Sequence, residues 1–278
     1  MTLPHPIPYQ GSKRKLADAI LALAPARCER LFEPFAGSAA TSIAAAKRGL
    51  ADAYHVNDLL APLAGVWRQL VADPEPLADA YEALWHAQRD DPRAHYLAVR
   101  DAFNAEPTPA RLLYLLARCV KNAVRFNAEG GFNQSADHRR RGRRPDTMRR
   151  HLRGAHALLQ GRTRVSSVDY AEALADATDA DFVYLDPPYM GTSHSANPRY
   201  VQGLDLERFV SVLADLQRRG VPLVISFDGR HGERRYGPAL PDHLGLRRLE
   251  IHAGRSSQAT LNGRVVHTWE SLYTNLPT

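Results

Sequence analysis

The sequence predicts an α/β protein built on a doubly wound, mostly parallel sheet, with a smaller helical segment inserted into it. Toward both ends of the chain, short apolar runs alternate with helical periodicity, which is typical of parallel strands joined by helices. Between them, over residues 62–159, the apolar spacing is helical throughout. A chain of 278 residues is long enough for a core domain that carries a smaller insertion.

The first half of the predicted sheet begins with an apolar strand over residues 31–35. This strand ends in a glycine turn, and an alanine-rich run over residues 39–48 follows as a helix that Gly49 ends. A second short strand over residues 53–56 ends in an Asn-Asp pair. The order strand, turn, helix and strand predicts two neighbouring parallel strands.

The second half of the sheet follows the inserted segment. A four-residue apolar strand, residues 182–185, leads directly into Asp186. Apolar residues over 206–216 repeat with helical spacing, and Gly220 is typical of the end of that helix. Residues 221–227 then predict another strand.

Positive charge is concentrated in the inserted segment. The chain carries a net charge of +6, but residues 111–164 hold 14 Lys and Arg against three acids, a net of +11, and the remaining residues carry −5. One surface is therefore expected to meet a polyanion. We divide the chain into a catalytic domain of residues 1–60 and 161–278 and a helical, basic insertion of residues 61–160.

Composition argues against several other classes of protein. Long apolar stretches and the pattern of a signal peptide are missing, so we expect a cytoplasmic protein without a membrane anchor. Cys28 and Cys119 are the only cysteines, and neither they nor the 12 histidines have the spacing of metal ligands. We therefore expect no metal site.

The end of the first strand suits a nucleoside. Gly37 provides a tight turn, and Asp58 follows 21 positions later, at the end of the next strand, where an acid accepts hydrogen bonds from ribose hydroxyls. An ordinary turn with a surface Asp fits the same pattern. The three-glycine fingerprint of nicotinamide cofactors is missing, so a ligand without a pyrophosphate, such as S-adenosylmethionine, fits better.

The most specific feature is Asp186-Pro187-Pro188-Tyr189, directly after the third strand. An adenine amine is a poor nucleophile because its lone pair is delocalised into the ring. Hydrogen bonds from its two N–H groups to the Asp186 carboxylate and the Pro187 carbonyl would oppose this delocalisation and stabilise the positive charge that develops. Pro187 and Pro188 stiffen the loop, and Tyr189 offers a flat face to an extruded base. A proline-capped strand end with a buried tyrosine is the structural alternative.

The motifs and their order resemble those of the Dam-type DNA adenine methylases. That family combines an amino-terminal cofactor motif, a glycine motif, a target-recognition insertion and Asp-Pro-Pro-Tyr, and the resemblance covers nearly the whole chain. It implies a sheet of the S-adenosylmethionine-dependent methyltransferase type. It also implies site-specific methyl transfer from S-adenosylmethionine to the exocyclic amine of adenine in duplex DNA, with base flipping.

The same resemblance implies which residues contact the cofactor. Tyr9-Gln10-Gly11-Ser12-Lys13 is similar to the family's amino-terminal motif, in which the aromatic residue and the Lys lie against S-adenosylmethionine. On charge grounds, Lys13 would pair with the methionine carboxylate. The complete set implied for the cofactor is Tyr9, Gly11, Lys13, Pro34, Phe35, Gly37, Asp58, Asp169, Tyr170 and Asp186.

The DNA contacts are expected in the insertion. Residues 125–133 are similar to the family's Arg-Tyr-Asn…Gly-x-Phe-Asn stretch, although an ordinary Asn/Gly turn has the same composition. Eight arginines between positions 139 and 153 predict several phosphate contacts, with a solvated basic loop as the alternative. The residues expected to bind DNA are Asn122, Arg125, Asn127, Asn133, Arg139, Arg140, Arg141, Arg143 and Arg144.

Two alternative functions stay open at this point. Methylation of RNA adenine or of a protein glutamine amide poses the same chemical problem, although glutamine enzymes typically carry Asn at the position of Asp186. A DNA-binding protein that keeps the fold without activity is the other alternative. The presence of Tyr9, Lys13, Asp58 and Asp186 argues against such decay. A cognate restriction endonuclease is a further partner to consider.

Overall fold

The strands that the structure describes form one eight-stranded sheet. The computed structural model describes residues 3–188, 204–231, 234–236, 238–255 and 267–277. Within these ranges the strands are β1 (Cys28–Glu33), β2 (Ala51–Asn57), β3 (Thr163–Ser166), β4 (Phe182–Leu185), β5 (Leu223–His231), β6 (Arg234–Tyr236), β7 (Arg247–Arg255) and β8 (His267–Thr274).

The helices lie mainly between β1 and β3. The described α-helices are α1 (Ala17–Leu21), α2 (Ala40–Arg48), α3 (Ala61–Ala72), α4 (Glu75–Ala87), α5 (Pro92–Ala105), α6 (Pro109–Arg118), α7 (Pro145–Leu159), α8 (Tyr170–Ala173) and α9 (Leu206–Arg218). Short 3₁₀ turns cover Lys13–Lys15, Val120–Asn122 and Asp242–Leu244. Among the helices described here, none combines the length and the apolar character that crossing a bilayer requires.

The strand order is β3-β2-β1-β4-β5-β8-β7, with β6 paired to β5. Strands β3, β2, β1, β4 and β5 run parallel, whereas β5–β8, β7–β8 and β5–β6 are antiparallel pairs. The prediction of a doubly wound, mostly parallel sheet is therefore confirmed. The direction of winding reverses between β1 and β4, and such a reversal opens a crevice at the carboxyl ends of the two strands.

Strand β4 shows why the sheet is covered on both faces. Phe182 and Tyr184 point into the cluster that contains the side chains of α2, α3, α6 and α7. Val183 and Leu185 point the other way, into the cluster that includes Phe209 of α9. All four residues of the strand are fully buried. A continuous apolar run of this kind is typical of a parallel strand between two helical layers.

Most of the predicted elements are confirmed with small changes at their ends. The alanine-rich helix is α2, and Gly49 ends it in the left-handed conformation at φ +65°. The helix after the catalytic segment is α9, and it ends shortly before Gly220. The strand expected at residues 31–35 begins and ends earlier, as β1.

The inserted helices do not have a core of their own. Trp67 of α3, Leu116 of α6 and Leu152 of α7 belong to the same buried cluster as Ile43 of α2 and Tyr54 of β2. Helices of the insertion therefore cover one face of the sheet. The division into residues 1–60 with 161–278 and residues 61–160 stays a prediction about function.

Asn57 joins the ends of three strands near the crevice. Its side chain is only 1% exposed. The amide nitrogen donates to the carbonyls of Pro34 and Val168, at 3.0 Å each. The amide oxygen accepts hydrogen bonds from the Ser166 hydroxyl at 2.7 Å and the Val168 N–H at 3.0 Å. This one side chain therefore fixes the loops that follow β1, β2 and β3.

We expect Asn57→Ala to lower the free energy of unfolding by about 3 kcal/mol, because it leaves several buried polar groups without partners. Urea unfolding measures this difference. Arg27→Ala is the matched control, since Arg27 and its partner Asp52 are mostly exposed, and its effect should stay within about 0.5 kcal/mol. Equal effects of the two substitutions would contradict the role of Asn57.

Candidate active site

The amino-terminal motif lies on the glycine turn after β1. Gly37 has φ +49°, and a Cβ atom added there would stand 3.0 Å from the Tyr9 ring. A second contact joins the turn to the amino-terminal motif at the next residue, where the Ser38 hydroxyl donates to the Ser12 hydroxyl at 2.8 Å. Ser12, where the resembling family often has Gly, thus contributes a contact of its own. A side chain at this position would press on the Tyr9 ring and would have to adopt a positive φ, and both conditions favour glycine.

Asp58 is bonded to the same turn. Its carboxylate accepts hydrogen bonds from the N–H groups of Gly37 at 2.9 Å and Leu60 at 3.0 Å. Burial raises the pKa of Asp58, although these two hydrogen bonds act in the opposite direction. The 21-residue spacing between Gly37 and Asp58 therefore reflects direct contact between the two loops at the carboxyl ends of β1 and β2.

Trp67 holds the other side of this turn. Its indole N–H donates to the Gly37 carbonyl at 3.0 Å, and the side chain is fully buried. A tryptophan on a helix carries no signal that its N–H reaches a loop 30 positions earlier, so only the structure reveals this contact.

Phe35 and Tyr170 form an aromatic pair beside the glycine turn. Their ring centroids are 5.2 Å apart. The Tyr170 hydroxyl is buried and has no hydrogen-bond partner in the described part of the chain. Asp169 caps α8 by accepting from the Ala171 N–H at 2.9 Å, and it forms an ion pair with Arg208 at 2.6 Å. The Asp169 carboxylate therefore caps the helix that begins at Tyr170 and holds Arg208, whose guanidinium lies 5.4 Å from the centroid of the Tyr170 ring. Arg208 is a residue that the sequence did not indicate.

Three charged side chains from distant parts of the chain meet at the end of β4. The Lys13 ammonium lies 2.8 Å from Asp186 Oδ1 and 3.5 Å from Glu270 Oε2. Lys13 is only 5% exposed, against 19% for Asp186 and 17% for Glu270. The assignment of Lys13 to the methionine carboxylate stays a prediction, and the structure adds that the Lys13 ammonium pairs with Asp186. Glu270 was not predicted, because nothing in the surrounding sequence sets it apart from other strand residues.

Burial, together with two neighbouring charges, decides how basic Asp186 is. Burial raises the pKa of Asp186 to about 6; Lys13 lowers it, and the like charge of Glu270 raises it. Glu33, the last residue of β1, is also buried, and burial raises its pKa to about 7 in spite of hydrogen bonds from Ser42. Asp186 is thus mostly ionised at neutral pH yet more basic than an exposed carboxylate.

The rest of the catalytic segment continues from β4. Pro187 is buried and Pro188 is half-buried. Below the segment, the buried Tyr184 hydroxyl is hydrogen-bonded to the Ser226 hydroxyl at 2.8 Å. Tyr189 lies outside the described residues.

Two of the asparagines expected to bind DNA have structural contacts. The Asn122 side chain donates to the Leu116 carbonyl at the end of α6, at 2.7 Å. The Asn122 carbonyl accepts from the Gln10 N–H at 2.9 Å, which joins the insertion to the amino-terminal motif. Asn127 accepts from the Gly131 N–H at 2.6 Å and so closes a tight turn. Arg125 and Asn133 are half-buried beside this turn.

The arginines of the basic segment divide into two groups. Arg143 donates to the carbonyls of His5 and Pro6. Arg149 and Arg153 form ion pairs with acidic residues of α4. Arg139 and Arg140 both contact Asp137, but Arg139 is 78% exposed, and Arg141 and Arg144 are exposed as well. Arg143, Arg149 and Arg153 therefore have partners inside the protein, and the expectation that several arginines of this segment contact phosphates stays a prediction.

Two further observations concern metal binding and cavities elsewhere in the described part of the chain. Across the described ranges, no group of three or more His, Cys, Asp or Glu is arranged to hold a metal ion. A cavity of about 410 Å³ opens at the β3 edge, and none of its lining residues belongs to the predicted site. These lining residues are Arg68, Val71, Ala72, Gln160, Gly161, Thr163 and Val165.

The reversal of the sheet, the Gly37–Asp58 turn and the Asp-Pro-Pro segment after β4 together define an α/β methyltransferase. The sequence pattern of the family described as "D12 class N6 adenine-specific DNA methyltransferase" matches residues 9–232. The chain belongs to this family.

Three named relatives are similar to the chain. The Type II methyltransferase M1.LlaDCHI of Lactococcus lactis subsp. cremoris is 28% identical over 78% of this chain and 78% of its own length. The DNA N-6-adenine-methyltransferase of Escherichia phage P1 is 27% identical over 80% of this chain and 29% of its own length. The modification methylase StsI of Streptococcus sanguinis is 29% identical over 69% of this chain and 29% of its own length. The chain thus spans most of the first relative and under a third of the other two.

We expect Lys13→Met to raise the pKa of Asp186 above about 6, because it removes the cation that lies between two carboxylates. Carboxyl-detected NMR titration of the two proteins measures the change. Lys15→Met is the matched control, since Lys15 is exposed on the same 3₁₀ turn. A pKa that stays the same or falls would contradict the ion pair.

Proposed function

We propose that this enzyme transfers the methyl group of S-adenosylmethionine to the N6 amine of an adenine that is flipped out of duplex DNA. One observation carries the proposal: residues 9–13 contact both halves of the site. Tyr9 and Ser12 lie on the glycine turn, and Lys13 pairs with Asp186. This segment therefore connects a nucleoside-type turn with the carboxylate that we assign to the amine.

The residues present fit S-adenosylmethionine. The buried Tyr170 hydroxyl without a partner suits a ligand that carries a hydrogen-bonding group, because buried phenols are normally satisfied. We assign Tyr9, Gly11, Pro34 and Gly37 to the walls of the site, Asp58 to the ribose, and Phe35 and Tyr170 to the adenine of the cofactor. Asp169 caps the helix that begins at Tyr170. When bound, S-adenosylmethionine supplies a methyl group made electrophilic by its sulfonium.

Asp186 and Pro187 are assigned to the substrate amine. Lys13 holds Asp186 Oδ1, and the other carboxylate oxygen accepts one N–H of the amine, while the Pro187 carbonyl accepts the second. These two hydrogen bonds draw the nitrogen lone pair out of the ring. The ionised Asp186 also stabilises the positive charge that develops on the nitrogen. Pro187 and Pro188 fix both acceptors in advance, and Tyr189 is assigned to stacking on the extruded base.

The basic insertion, residues 61–160, is proposed to bind the DNA and to recognise its target sequence. The exposed Arg139, Arg141 and Arg144 are assigned to backbone phosphates. Arg125 and Asn133 are assigned to the recognition of bases. The buried Asn133 side-chain oxygen, which has no hydrogen-bond partner among the described residues, supports this role. We assign a supporting role to the residues of this set that have contacts inside the protein, because those contacts hold the DNA-binding residues in place. They are Arg140, Arg143, Asn122 and Asn127.

The biological setting follows from a DNA substrate. We place the enzyme in the cytoplasm with its duplex DNA. Two of the relatives are named a Type II methyltransferase and a modification methylase, and these names support the hypothesis of a cognate restriction endonuclease. Membership of an adenine-specific DNA methyltransferase family favours DNA adenine over RNA or a glutamine amide, and over an inactive DNA-binding protein.

We expect radiolabelled methyl transfer from S-adenosylmethionine to duplex DNA, and background transfer to RNA and protein tested in parallel. Asp186→Ala should abolish this transfer while cofactor and DNA binding largely persist, because it removes an acceptor needed for the reaction. Asp52→Ala, an exposed aspartate at the amino end of β2, is the matched control and should keep normal turnover. Near-normal turnover of Asp186→Ala, or preferred labelling of RNA or protein, would refute the proposal.

We expect Arg141→Ala and Arg144→Ala each to weaken DNA binding uniformly across sequences. The slope of log K against log salt should decrease in magnitude by about 0.9 for each phosphate contact that is lost. Fluorescence anisotropy at several salt concentrations measures the slope. Arg27→Ala, an exposed arginine ahead of β1, should leave it unchanged. If both insertion variants keep the wild-type slope, these arginines do not contact phosphate.

A further inference from the structure

We propose that Glu270 is a positioning residue of the methyl-transfer site, which holds Lys13 against Asp186 and leaves the three-residue cluster with one net negative charge. The inference rests on the function proposed above. It concerns a residue of β8, far from the motifs that the sequence singles out.

The geometry shows an unusual carboxylate. Glu270 Oε2 lies 3.5 Å from the Lys13 ammonium, which is itself 2.8 Å from Asp186 Oδ1. That oxygen is buried and forms no hydrogen bond in the described part of the chain. A buried carboxylate oxygen without a hydrogen bond is costly. Its place beside the catalytic segment therefore indicates a role in the site rather than in the stability of the fold.

The backbone of the sheet brings Glu270 to this place. On one side, Glu270 pairs with Gly229 of β5, just after a register shift between Ser226 and Gly229. A Cβ atom at Gly229 would stand 2.9 Å from the Trp269 carbonyl, so only glycine allows this approach of β8. Irregularities of this kind redirect side chains near active sites. The shift changes which β8 residues face the carboxyl end of β4, which lies on the other side of β5.

The charge of Glu270 complements that of Lys13. With Lys13 alone, the ion pair with Asp186 is neutral, and an ion-paired carboxylate is a weaker hydrogen-bond acceptor. With Glu270 present, two carboxylates share one ammonium, and the cluster keeps one negative charge. During methyl transfer the substrate amine gains positive charge, which a net negative site stabilises.

Among the described residues, Glu33 and Tyr184 also interact electrostatically with Asp186. Glu33 approaches from β1, and burial raises its pKa to about 7 while Ser42 donates hydrogen bonds to it. Burial raises the pKa of Tyr184, on β4 itself, well above its usual value, so this phenol stays neutral. Glu270 is therefore the carboxylate that shares the Lys13 ammonium with Asp186.

The test compares the pH dependence of kcat for the full-length enzyme and Glu270→Gln on duplex DNA. Wild-type activity falls as the pH drops through about 6, because the reaction requires ionised Asp186. Glu270→Gln removes a like charge, so the pKa of Asp186 falls and the acid limb moves to lower pH. We expect the plateau kcat to fall about tenfold at the same time, since the net negative charge is lost.

Two companion variants make the result specific. Glu250→Gln makes the same chemical change on the neighbouring β7 and should leave both the plateau and the acid limb unchanged. Glu270→Asp keeps the charge, so its acid limb should stay near that of the wild type while kcat falls only partly.

An acid limb that Glu270→Gln does not move, with or without a loss of kcat, overturns the proposal. If Glu270→Gln does not fold, Glu270→Asp decides, and an acid limb shifted as if the charge were absent overturns the proposal. An inactive wild-type enzyme would instead refute the proposed function. Wild-type activity on DNA adenine with an unaffected Glu270→Gln variant would refute the role of Glu270 alone.

Discussion

The ion pair between Lys13 and Asp186 is the contact on which the candidate site depends. It joins the amino-terminal segment to the end of β4, and Lys13 is almost completely buried where it forms. The same segment lies on the glycine turn through Tyr9 and on Ser38 through Ser12. A buried ammonium is costly unless it is paired with an opposite charge and hydrogen-bonded. The position of Lys13 therefore fixes the distance between the nucleoside-type half of the site and the half that carries Asp186.

The order of the strands explains why these two halves meet. Helix α2 returns the chain to β2 on one side of β1, whereas β4 adds on the other side after the inserted helices. The loops that follow β1 and β4 therefore diverge from neighbouring strand ends and leave a crevice between them. Asn57 fixes the loop that follows β1 by donating a hydrogen bond to the Pro34 carbonyl. The crevice is thus a consequence of topology, and buried hydrogen bonds make it rigid.

The basic insertion shows how charge in a sequence is shared between stability and recognition. Arg149 and Arg153 neutralise acids of α4, and Arg143 binds backbone carbonyls near the amino terminus. These arginines stabilise the helices that cover the sheet. The arginines that remain exposed, Arg141 and Arg144 among them, form a smaller basic surface than the composition suggests. The number of basic residues in a segment therefore gives an upper bound on its phosphate contacts, and the actual number depends on how many of these residues pair inside the protein.

The sequence by itself determined β1, β2, β4 and β5 of the five parallel strands, the glycine turn and the position of the Asp-Pro-Pro segment after β4, because each depends on residues that are close together along the chain. A buried four-residue strand that enters Asp-Pro-Pro, or a helix that ends at Gly49, is a local pattern. Only the tertiary structure decided that Lys13 pairs with Asp186, that Trp67 holds Gly37 and that Glu270 reaches the site. These contacts join residues far apart in the chain, and their geometry depends on strand order and on the register shift in β5. Neither property leaves a periodic signal in the sequence.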